Sequence, residues 1–167
     1  DHHDLEEGPM GHMVEDRHLR PLLQERLKNH NQTIYLDQAQ VIGKDTGPVS
    51  TDLSLKGDQR TVKAKLVVAA DGRRSAFAAN AGIAYTGWDY AQTSLVCALK
   101  HEKSHKGIAY QHFMPTGPLA ILPLTKNRAS IVWTETTENA ETIMSLDDKA
   151  YLDVLRPRFG DFLGDIA

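Results

Sequence analysis

Apolar residues recur at two different periods along this chain, and the change of period divides it. In residues 16–29, Leu19, Leu22, Leu23 and Leu27 fall at helical spacing while Arg20, Glu25, Arg26 and Lys28 are left for water. The spacing predicts a helix, firmest after Pro21, because proline is tolerated only near a first turn. The runs TIYL (33–36), AQVIGKD (39–45), VSTDLSLKG (49–57) and RTVKAKLVVAADG (60–72) read as short strands, with turns at Gly47-Pro48 and Gly57-Asp58. Residues 66–70 are continuously apolar, the pattern of a strand covered on both faces. That run stops at Asp71-Gly72, and residues 73–82 read as a short helix closed by Gly82.

Beyond residues 83–90, where composition shifts, the period becomes two. TSLVCALK, GIAYQHFM, PLAILPL and ASIVWTE alternate and are separated by connections of hairpin size, which predicts an antiparallel sheet with one buried face. Trp133 and Phe113 are core aromatics by default. Pro118 and Pro123 cannot donate ladder hydrogen bonds, so their strand is an edge or is distorted. Ser145 and Asp148 match a capping signature, opening a helix that turns Leu146, Tyr151, Leu152 and Leu155 inward and ends at Arg156, ahead of Pro157.

Composition adds limits. The chain has 41% hydrophobic and 25% charged residues with a net charge of −3, so neither a nucleic-acid footprint nor a polybasic membrane patch stands out. A single cysteine, Cys97, excludes an internal disulfide framework and suits a reducing compartment. No apolar run approaches the ~20 residues of a membrane span, and a cytoplasmic location is expected. The chain starts at Asp1 rather than Met, and a piece of a longer protein is expected.

Three stretches carry candidate chemistry. His101, Glu102 and His105 spell the H-E-x-x-H pattern of zinc peptidases, which works when a helix sets both imidazoles on one face. Here the letters fall between two predicted strands, with no apolar stripe and no third ligand at a familiar spacing, and they read as a solvated hairpin loop. His2, His3 and Asp4 at an exposed end are the adventitious kind of metal donor and are set aside. Asp71-Gly72, where a buried strand opens a helix, puts backbone N–H groups at an anion-friendly terminus. The plainer alternative is that Asp71 caps the helix and Gly72 permits the turn.

LVVAADGRRSAFAANAGI, WDYAQTSLVCAL, GIAYQHFMPTGPLAILPL and SIVWT, with GHMVEDRHLRPLL upstream, together resemble the ubiquinone-biosynthesis FAD-dependent aromatic hydroxylases, of the 2-octaprenyl-6-methoxyphenol hydroxylase type. The resemblance runs from about Gly11 onward. It implies an α+β fold in which residues 1–85 are a mixed-sheet remnant of an FAD-binding domain and residues 86–167 hold an antiparallel substrate-domain sheet with flanking helices. Of that family's three flavin motifs the chain keeps the central Asp-Gly; it has no G-x-G, and Gly160-Asp161 and Gly164-Asp165 come too soon to be the later motif.

The implied parent is a flavoprotein monooxygenase, an oxidoreductase using FAD, NAD(P)H and O₂ to hydroxylate a prenylated phenol. The fragment alone is expected to bind no cofactor and to be inactive. Asp71 and Gly72, with Arg17 as a weaker phosphate contact, would be the FAD-binding residues. Phe113, Pro118, Leu122 and Pro123 would form an apolar wall for the prenylated ring. Catalytic residues are not assigned. Ala78 stands where the wider family carries an Arg three residues past the Ser. A prenylated substrate leaves room for peripheral membrane association, and uncovered apolar surface for a homodimer. The alternatives are a non-catalytic module binding a lipid or a partner and, further off, a zinc metallopeptidase through HEKSH.

Overall fold

The computed structural model of the protein describes residues 8–9 and 11–167; His2, His3 and Asp4 lie outside them. The fold is α+β. It divides into two compact units, one made of residues 20–87 and the other of the described residues up to Leu19 together with residues 88–167.

In the first unit β1 (Val41–Thr46), β2 (Thr51–Leu55) and β3 (Thr61–Ala64) form a sheet of order β1-β2-β3. Both pairings are antiparallel, so the sheet is not mixed. The Gly47 N–H donates to the Ser50 carbonyl at 2.9 Å and closes the first hairpin, and Gly57 at φ +72 turns the chain into the second. α2 (Ala76–Asn80) follows and is closed by Gly82 at φ +74, a left-handed conformation that glycine adopts without a Cβ penalty.

Two expected strands are absent. Residues 33–36 are irregular, with Ile34 exposed, and residues 66–70 belong to no strand. Leu66 and Val68 are 80% and 76% exposed, the opposite of a strand covered on both faces. β propensity marks a residue that fits a pleated, half-buried surface, and no ladder reaches this run among the described residues. α1 (Asp16–Lys28) forms as its period predicts, but it contains Pro21 in its second turn and buries none of its residues.

The second unit holds the core. β4 (Gln92–Lys100), β5 (Tyr110–Met114), β6 (Gly117–Leu124) and β7 (Arg128–Thr136) form an antiparallel sheet of order β4-β7-β6-β5. Proline-containing β6 is therefore an interior strand and not an edge. Its two prolines sit at register positions 118 and 123, opposite Phe113 and Ala129. β4 and β5 lie on opposite edges, so the segment joining them crosses the sheet's end instead of closing a hairpin.

Alternation sends Leu95, Leu99, Leu119, Ile121, Ala129, Ile131 and Trp133 to one face. There they pack with Ala140 and Ile143 of α3 (Thr137–Met144) and Leu155 and Phe159 of α4 (Asp148–Phe159). α3 is an element the periodicity missed. Ser145 caps its C-terminus, and the N-cap of α4 is Asp147, whose carboxylate accepts the Ala150 N–H at 2.8 Å. Nor does α4 stop before Pro157. It runs on to Phe159, which is fully buried, and the Gly160 N–H still reaches the Arg156 carbonyl at 3.0 Å. Burial of Phe159 outweighs the one hydrogen bond a late proline removes.

Candidate functional site

Two places in the fold carry the candidate residues, one in each unit. The first is the turn after residue 70. Gly72 has φ +88, which an L side chain rarely adopts, and its carbonyl accepts the Ser75 N–H at 3.1 Å. Ser75, not Asp71, is the N-cap of α2: its hydroxyl oxygen accepts the Ala78 N–H at 2.9 Å. The same hydroxyl donates to Asp71 Oδ1 at 2.5 Å. That bond, with lesser help from the N–H groups of residues 71, 76 and 77, holds the Asp71 carboxyl below the ordinary carboxylate value.

The donors at the start of α2 are thus taken by Asp71 and Ser75, so this turn is not an open anion site. It offers a different chemistry. The carboxylate can accept hydrogen bonds from hydroxyl or N–H groups, and a Cβ built on Gly72 would meet nothing within 4 Å, so a polar ligand group can approach the backbone closely. Those features suit a ligand that presents hydroxyl or N–H donors. The turn that cradles a pyrophosphate is not in this chain, which contains no G-x-G. Ala78 is 8% exposed and its backbone is held by the cap. Arg17, in the other unit, pairs its guanidinium with Glu15 at 2.9 Å.

The second place is the sheet face that α3 and α4 leave uncovered. Cross-strand register lays it out in rows: Ser94 beside Thr134, Val96 beside Val132 and Ala120, Ala98 beside Ser130 and Leu122. Pro118 and Phe113 are directly paired and share this face. Phe113 is 83% exposed, which corrects its expected place in the core, and Val96 is 67% exposed. Pro118, Ala120, Leu122 and Val132 are half-buried. Three of the four expected wall residues, Phe113, Pro118 and Leu122, therefore lie on one apolar surface. Pro123 has the other parity; it lines a cavity of about 440 Å³ with Met13, Val14, His18, His105 and Leu124.

Between the two edges of this sheet runs HEKSH. Both ring nitrogens of His105 and the Nδ1 of His101 are spent on structure, while the buried His101 Nε2 has no hydrogen-bond partner among the described residues. His105 Nε2 donates to the carbonyls of Leu124 and Lys126 at 2.8 and 2.9 Å, while its Nδ1 accepts the Gly107 N–H at 2.9 Å. His101 is 5% exposed and donates from Nδ1 to the Lys103 carbonyl at 2.7 Å. Residues 100–103 also pair with the chain's last residues: the Glu102 N–H reaches Asp165 and the Lys103 N–H reaches Leu163. A Cβ at Gly164 would fall on the Glu102 side chain, so Gly164 is what lets this contact form. This loop is not helical; Glu102, Lys103 and Ser104 are exposed as a solvated loop requires, while His101 is buried and His105 half-buried. Among the described residues no three His, Cys, Asp or Glu groups converge in a way that could hold a metal.

Sequence reasoning missed one buried group. Glu135 is 2% exposed on the helix side of β7, accepting from Trp133 Nε1 at 3.0 Å and facing Arg158 Nε at 3.5 Å. Arg158 also lies over the Trp133 ring, 4.8 Å from its centroid. The cluster ties α4 to β7. The signal was available, since Glu135 continues the parity of Ile131 and Trp133.

The chain is similar in sequence and shape to known proteins. A family model described as an FAD binding domain matches residues 1–164. The chain is 43% identical to the ubiquinone hydroxylase UbiL of Rhodospirillum rubrum over 160 residues, 95% of this chain and 37% of that protein. It is 36% identical to the mitochondrial ubiquinone biosynthesis monooxygenase COQ6 of Mus musculus over 104 residues, 62% of this chain and 22% of that protein. Among solved structures, that of CmlS, a flavin-dependent halogenase, superposes with a TM-score of 0.65 at 15% identity, over 92% of this chain and 31% of CmlS. The matched stretch thus spans between about a fifth and two fifths of the length of each.

Proposed function

Because the chain belongs to the FAD binding domain family, we propose that it is the central segment of a flavin-dependent monooxygenase that hydroxylates a prenylated phenol in ubiquinone biosynthesis. The observation that carries this reading is the identity with a ubiquinone hydroxylase along nearly the whole chain. When bound, the flavin supplies the redox and oxygen chemistry, with NAD(P)H as the proposed reductant.

This chain's own residues do simpler things. Asp71 accepts hydrogen bonds from the cofactor's hydroxyl or N–H groups, and Gly72 allows the backbone to come close. Arg17, already paired with Glu15, contributes charge and not a free phosphate contact. The apolar sheet face of Val96, Val132, Ala120, Leu122, Pro118 and Phe113 takes the substrate ring and keeps water from the reacting carbon. A prenyl tail favours a substrate delivered from a lipid surface, so peripheral membrane association belongs to the proposal; no helix among the described residues is long and apolar enough to cross a membrane.

The test is Val132→Asp in the complete protein. A carboxylate in the middle of the face is expected to abolish binding of a prenylated phenol while flavin content stays as in the wild type. Unchanged phenol binding would overturn the role given to this face.

A further inference from the structure

Resting on that reading, we infer that the Ser94–Thr134 hydroxyl pair is the specificity determinant that orients the ring, reading one of its oxygen substituents while the apolar rows beside it hold the hydrocarbon. Ser94 Oγ and Thr134 Oγ1 lie 3.1 Å apart across the β4–β7 ladder, on the face that carries Val96, Val132 and Ala120. Two hydroxyls bring two protons, and their mutual hydrogen bond uses one. The second proton is left to donate, and both oxygens keep lone pairs that can accept a phenolic O–H.

The pair is held in place by its surroundings. Gly117 sits in the β5–β6 turn at φ +145, and a Cβ there would lie 2.6 Å from Thr134 Cγ2 and 2.8 Å from Thr134 Cβ. A side chain at 117 would displace Thr134, so its absence lets the Thr134 methyl seat against the turn and directs the hydroxyl toward Ser94. Gln92 braces the same turn, its Nε2 donating to the Thr116 carbonyl at 2.8 Å. Pro118, following the turn, continues the register to the position beside Thr134, with Phe113 next to it. One row thus presents a fixed polar point followed by two apolar rings. A phenol with a prenyl substituent has the same order of groups: an oxygen, a flat ring, a hydrocarbon tail.

The experiment uses the complete flavin-loaded protein and two probes, a phenol bearing a short prenyl chain and the matched prenylbenzene without the hydroxyl, each titrated by its perturbation of the flavin absorbance. Wild type is expected to prefer the phenol. Thr134→Val, which keeps the shape and removes the hydroxyl, is expected to reduce that preference about tenfold, the equivalent of one hydrogen bond. Thr134→Ser should keep the preference, and Ser94→Ala should reduce it even if Thr134→Val does not fold. If Thr134→Val and Ser94→Ala discriminate as well as wild type while both probes still bind, the hydroxyl pair is not the determinant and the apolar face stands. If neither probe binds wild type, the reading of the face fails and this inference fails with it.

Discussion

The two units use apolar residues in similar density and to opposite effect. In residues 88–167 most alternate positions on one face of β4, β6 and β7 are buried, and Trp133, Phe159, Leu119, Ile121, Ile131 and Leu155 are closed from solvent. In residues 20–87 the buried apolar side chains are Leu55 and Ala78, while Ile34, Val49, Leu66 and Val68 are more than three-quarters exposed. The contrast lies in partners, not propensity. Alternating strands paired in a four-stranded sheet bury one face against two helices inside the same unit. A continuous apolar run such as residues 66–70 calls for cover on both sides, and this unit has none to give it.

The contrast can be broken by mutation. Trp133→Ala should cost about 3–5 kcal/mol of unfolding free energy by denaturant titration, the range for a large buried aromatic. Glu135→Ala comes next, at about 1–3 kcal/mol, because it leaves the Trp133 indole N–H and Arg158 without their acceptor. Leu66→Ser should move stability by no more than ~0.5 kcal/mol, the usual effect of an exposed position. A loss at Leu66 as large as that at Trp133 would erase the distinction between the units. Amide exchange gives the same comparison without mutation: β7 should be among the slowest segments and residues 66–70 among the fastest.

The smallest effect concerns acid. Arg128 and then Arg17 hold the Glu15 carboxyl below its ordinary value of 4.5. A depressed folded value means that its contribution is complete above 4.5 and disappears as pH falls through the folded value. Arg128→Ala should reduce this part of the acid dependence of unfolding, with Arg17 still holding the carboxyl down, and leave the curve above that pH unchanged in shape.

How far the sequence could be read follows the same division. β4, β6, β7 and most of α4 were legible because period-two and helical patterns there match real burial. Strand order was not legible, since alternation says which face a residue takes and nothing about which strand lies beside it. Hence HEKSH was expected in a hairpin, whereas it crosses from one edge of the sheet to the other. Residues 66–70 misled for the reverse reason: a run of Leu and Val reports a preference for cover, and burial depends on what is present to provide it. Asp71-Gly72 was recognisable as a turn, but the division of labour with Ser75 was not, because Asp and Ser are equally good caps on paper. Which of the four expected wall residues share a face was not legible either. Phe113, Pro118 and Leu122 share a face, while Pro123 has the opposite parity, a distinction that required the register of β6 against β7.

The most direct test is a product analysis. The complete protein, with FAD, a reduced nicotinamide and isotopically labelled O₂, is given a prenylated phenol, and the products are examined by mass spectrometry. A ring carrying one added labelled oxygen atom is the predicted product. Nicotinamide oxidation with the phenol recovered unchanged, or a halogenated ring when halide is supplied, would contradict the account.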